Sequence, residues 1–90
     1  VTEREPLLQE RQTTHGSFTK NAVISQELKT IFDENLEFRG ASTEVHSVHR
    51  EALDMIALKL SRILSGHANF KDHWDDIAGY AKLASEVCDK

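Results

Sequence analysis

The sequence predicts an all-α fold: a short N-terminal helix and three longer ones, the last two an antiparallel helical hairpin. Three observations carry that reading. Apolar residues recur at helical spacing over long stretches. Ser, Thr, Asp and Gly stand where those stretches begin and end. One proline and 4 glycines are too few for a turn-rich β sandwich. At 90 residues the chain makes one helical domain, 1–90.

The first segment covers about 3–13. Thr2 serves as its N-cap, and Glu5 three positions on completes a capping box. Pro6 falls near the start, where a missing N–H costs little. Gly16 is placed for a left-handed C-cap. The second segment covers about 17–37, with Ser17 as N-cap. Phe18, Ala22, Ile24, Leu28, Ile31, Phe32 and Leu36 give it an apolar face, and Gly40-Ala41-Ser42 breaks it. The third starts at Thr43 or Ser47 and runs to Leu64, with Gly66 as the stop. Val45, Val48, Ala52, Leu53, Ile56, Ala57, Leu60, Ile63 and Leu64 form its wide apolar stripe. Leu58 falls on the opposite side among Glu51, Asp54 and Arg62, with Met55 beside it. That placement reads as one exposed leucine or as a subunit contact.

The fourth segment covers about 73–88. Asp72 is its expected N-cap, and Asp75 suits the positive helix end. Trp74, Ile77, Ala81, Ala84 and Cys88 form its expected buried stripe. Gly79, inside the helix, marks either close helix–helix approach or room for a ligand or partner chain. The short connection over 65–72 sets the third and fourth segments antiparallel. The expected core is Phe18, Leu28, Ile31, Phe32, Leu53, Ile56, Leu60, Ile63, Trp74, Ile77, Ala81 and Ala84, with Trp74 essential to it.

Charge and size narrow the function. The net charge is −4 and the 11 basic residues are scattered, so direct nucleic-acid binding is not expected. No apolar run is long enough to span a membrane. The charged opening, Val1-Thr2-Glu3-Arg4-Glu5, does not read as a signal peptide. Cys88 is the only cysteine and suits a reducing cytoplasm. A chain this short buries only roughly 60% of its extended surface, so a homo-oligomer is expected.

One polar cluster stands out. In an antiparallel hairpin, Lys59 and Arg62 at the end of the third segment meet Asp75 and Asp76 at the start of the fourth. Tyr80 lies one turn beyond Asp76. Lys59, Arg62, Asp76 and Tyr80 therefore converge. One reading is a partly buried salt bridge that fixes helix register. The other is an anion or nucleotide pocket, with Lys59 and Arg62 for phosphate and Tyr80 or Trp74 for stacking. Metal ligation has thin support. Glu51 and Asp54 share one helix face, as do His46 and His49, but no H-E-x-x-H, P-loop or cysteine pair occurs. No catalytic residue, metal or cofactor is expected.

The stretches 49–66, HREALDMIALKLSRILSG, and 72–81, DHWDDIAGYA, resemble a family of small phage and prophage proteins of unassigned function. Its pattern is an apolar helix carrying K-x-x-R, a loop, and D-x-W-x-D-I-A-G-Y. Arg11-Gln12-Thr13-Thr14-His15-Gly16, followed by Phe18 and Asn21, is similar to that family's opening. The resemblance implies a phage-type protein acting in the cytoplasm of a bacterial host. Two roles follow: binding a nucleotide or another phosphorylated small molecule, or inhibiting a host factor, as an anti-CRISPR or other anti-defence protein does. A more distant likeness is to the all-α nucleoside triphosphate pyrophosphohydrolases of the MazG kind, which hold Mg²⁺ with E-x-x-E and E-x-x-D. It implies a third role, Mg²⁺-dependent hydrolysis, with Asp76 as a ligand. Here His73 stands three residues before Asp76 instead of glutamate. Lys59 and Arg62 also repel a divalent cation. Binding without catalysis is therefore the leading expectation.

Overall fold

The computed structural model describes residues 15–89. Three helices are present there, α1 (Phe18–Asn35), α2 (Thr43–Ser65) and α3 (Lys71–Glu86), and no strand occurs among the described residues. The expected helix over 3–13, with its Thr2 cap, lies outside them.

Local chemistry explains most of the boundaries. Ser17 takes an extended conformation and its Oγ accepts from Lys20 N at 3.2 Å, capping α1. Helix α1 ends at Asn35, short of the expected Glu37. Asn35 Nδ2 there donates to the Ile31 carbonyl, and Leu36 turns extended. Arg39 and Gly40 both have positive φ, so the turn sits just before α2. Ser42, read in the sequence as part of a breaker, caps α2 by accepting from Val45 N at 3.1 Å. Glu44 in the first turn and Arg62 in the last complement the helix dipole. Gly66 closes α2, as expected. Helix α3 starts earlier than expected. Phe70 occupies the cap position without a side-chain bond, so Asp72 lies in the first turn and is not the cap.

Helix α2 is the centre, and α1 and α3 each pack along it. The close pairs fall in opposite chain order on both sides. Asn21 meets Ser65 and Asp33 meets Arg50 across α1–α2. Lys59 meets Asp76 and His49 meets Ala84 across α2–α3. Gly16, with φ of 78°, lets the chain pass against Ser65, where a side chain would overlap the Ser65 backbone.

The interior differs from the expected core. Ile63 is buried, while Leu28, Phe32, Leu53, Ile56, Leu60, Ile77 and Ala84 are partly buried. Phe18, Ile31, Trp74 and Ala81 are exposed, Phe18 at 84%. Leu64 and Cys88, placed on buried stripes by the sequence, are exposed as well. Two flanking helices leave part of each apolar stripe turned away from α2. Trp74 has its own reason: its Nε1–H donates to the Ala68 carbonyl at 2.7 Å, so the indole ties down the preceding loop. Gly79 is not a close-approach site, since an added Cβ would meet nothing within 4 Å. Leu58 is partly buried, not opposite the core, and lines a cleft between α1 and α2. No helix of the described residues is long and apolar enough to cross a membrane.

Candidate functional site

The buried positions of the described residues are unusually polar. Asn21, Ser25, Ser61 and His73 are buried, against Ala52, Ala57 and Ile63 among apolar residues. A short chain that needs apolar burial has instead placed hydroxyl, amide and imidazole groups inside. Each such group must find a hydrogen bond to avoid a desolvation penalty. Ser61 Oγ donates to the Leu58 carbonyl at 2.7 Å, and Ser65 Oγ lies within reach of the Ser61 carbonyl and of Asn21 Oδ1. Their spacing along α1 and α2 joins the start of α1 to the end of α2. His73, at 1% exposure, lies edge-on to His15 and Phe70, with ring centroids 4.8 and 4.9 Å away.

The charged part of this end lies on the α2–α3 contact. Lys59 Nζ is 2.8 Å from Asp76 Oδ2, and the Lys59 side chain is 13% exposed. That shelter holds an ammonium against one carboxylate. The Asp76 carboxyl is held below its ordinary range, first by the Lys59 hydrogen bond and then by the Lys59 charge, against an opposing desolvation effect. The charges of His73 and Arg62 act in the same direction. The Asp76 carboxylate thus pairs directly with Lys59 of α2, and the charge of Arg62 adds to its stabilisation. Guanidinium and ammonium groups that converge on a carboxylate present the donors a phosphate uses.

Of the five sequence-predicted site residues, Lys59 and Asp76 are in direct contact as an ion pair, and Arg62 acts on Asp76 through its charge. Tyr80 borders a different space, an apolar cleft of about 370 Å³ shared with Val48, Met55 and Leu83. Trp74 does not join the cluster. It lies two residues from Asp76, about 200° around the helix, and its indole is engaged by the loop. The sequence reading missed Asn21, Ser25, Ser61 and His73. A signal for two of them was present: Asn21, Ser25, Leu28 and Phe32 follow the i, i+4, i+7, i+11 rule as well as the apolar set does.

The other histidines have local structural partners. His46 stacks on Phe38 at 3.7 Å, and His49 Nε2 lies 3.2 Å from the Ala84 carbonyl and 3.5 Å from Cys88 Sγ. Asp54 accepts from Arg50 Nε at 2.9 Å. Among the described residues, no group of three or more His, Cys, Asp or Glu side chains is placed to hold a metal ion.

The sequence pattern of a domain of unknown function, DUF6378, matches residues 2–88. No curated protein and no solved structure matches the chain.

Proposed function

We propose that this chain, which belongs to the DUF6378 family, is a small phage-type binding protein for a phosphorylated small molecule, nucleotides included. It acts in the bacterial cytoplasm and carries out no catalysis of its own. The observation that supports this is the ion pair of the sheltered Lys59 ammonium with Asp76, 2.8 Å across α2–α3, on a carboxylate that the Arg62 charge also favours. The antiparallel hairpin of α2 and α3 is the device that brings these distant residues together. A phosphate entering beside Asp76 meets a sheltered ammonium and a guanidinium whose geometry suits bidentate contact. The same cations oppose a divalent metal at that carboxylate, which favours binding over Mg²⁺-dependent hydrolysis. Calorimetric titration of the full chain with pyrophosphate and a panel of nucleotides tests the reading. Heat that saturates with at least one member, and is lost in Arg62→Gln, is expected. No heat with any member contradicts it.

A second reading has its own observation. Leu64, Leu83, Val23, Ile31 and Trp74 are each more than half exposed. Leu83 also edges the apolar cleft of Val48, Met55 and Tyr80, and a continuous apolar surface of that kind suits a protein contact, either with a second copy of the chain or with a host factor that it inhibits. Sedimentation over a range of concentrations and capture from host lysate test it together. A monomer throughout, with no captured protein, contradicts it.

A further inference from the structure

Among the described residues, Phe18 is the most exposed of the large apolar side chains, at 84%, although it opens a helix whose next turns pack on α2. The ring forms the lip of a cleft between α1 and α2 with Asn21, Ser25, Gln26, Leu58 and Arg62. Arg62 also acts on the Asp76 carboxylate across α2–α3. The cleft and the basic cluster therefore share one guanidinium. Asn21 Oδ1 accepts from Ser65 Oγ, so what its side chain offers the cleft is the amide donor. Gln26 adds both a donor and an acceptor.

The volume, about 190 Å³, is below the roughly 300–1,000 Å³ of sites that enclose a whole small molecule. It suits one planar ring, with the rest of the molecule outside. We infer that this cleft takes the heteroaromatic base of a nucleoside monophosphate, stacked on Phe18, with the phosphate held at Arg62. The inference rests on the phosphate-binding reading and adds the ring end that Tyr80 and Trp74 do not supply. Stacking on an aromatic face tolerates any base, and the amides of Asn21 and Gln26 supply what preference there is.

Titrating the full chain with adenosine monophosphate and with ribose 5-phosphate, followed by NMR shifts, separates the two ideas. The nucleotide is expected to bind roughly tenfold tighter than the sugar phosphate, the gain that one base–aromatic stack provides. Phe18→Ala removes that advantage and leaves ribose 5-phosphate binding and the melting temperature unchanged, because the ring is exposed. Phe18→Tyr keeps the advantage. Equal affinity for the two ligands in the wild type, or an undiminished nucleotide affinity in Phe18→Ala, overturns the ring site and leaves the phosphate reading standing. Failure of both ligands to bind overturns the phosphate reading and the ring site with it.

Discussion

Two lysine–aspartate pairs place their carboxylates on α3 and are nearly equal in length, 2.8 Å for Lys59–Asp76 and 2.7 Å for Lys71–Asp75. Their surroundings differ. Lys71 is 83% exposed and pairs one turn along its own helix. Lys59 reaches across from α2, is sheltered from solvent, and shares its carboxylate with the charges of His73 and Arg62. Two glycines repeat the contrast. Gly16 holds a left-handed conformation against Ser65, whereas Gly79 faces open space. The comparison teaches that a contact distance does not identify a site. What distinguishes the inner end is that several elements are committed to it, while the outer face of α3 satisfies itself locally.

The largest expected effect is on the inner glycine. Gly16→Ala combines an unfavourable φ with overlap on Ser65 and should destabilise the fold by about 2 kcal/mol in urea unfolding. Gly79→Ala should stabilise it by about 1 kcal/mol, because an exposed mid-helix glycine gains helix propensity without a clash. Equal responses at the two positions would break the comparison. Trp74→Ala should cost about 1 kcal/mol, the scale of its hydrogen bond to Ala68. Complete unfolding would return Trp74 to the core that the sequence had assigned it.

The lysine pairs give smaller effects. Lys59→Met should lower the melting temperature more than Lys71→Met, whose pair is exposed and screened by salt. The pH dependence follows from the lowered Asp76 carboxyl. Its contribution to stability is present above the ordinary value of 3.8 and is lost as pH falls through the lower folded value. The stability gap between the wild type and Asp76→Asn should therefore narrow below about pH 3.8. A gap that instead closes near neutral pH would assign it to another group.

Much of this was legible in the sequence, and the rest was not for identifiable reasons. Ser17 and Gly66 marked helix ends because capping chemistry is local. Asp72 misled because Phe70 already occupies the cap position, which depends on how the loop leaves α2. Lys59 and Asp76 could be paired because the spacing of two helices and one short loop fixes which ends meet. The apolar stripes misplaced Phe18, Ile31 and Trp74, since periodicity says which residues share a face and not whether a neighbour covers it. Asn21, Ser25 and Ser61 are not legible as buried because the apolar periodicity that marks a buried face carries no polar residue. Residues of that kind mark an interior built around hydrogen bonds.

The central claim is that Asp76 occupies, within the protein, donors that an exchangeable phosphate can use. The direct measurement is the affinity for inorganic phosphate of the wild type and of Asp76→Asn, read from NMR shifts of Lys59 and Arg62. Removing the carboxylate charge should leave the donors to the anion, so Asp76→Asn should bind phosphate more tightly than the wild type. Equal or weaker binding in Asp76→Asn, in a variant that remains folded, would contradict the account.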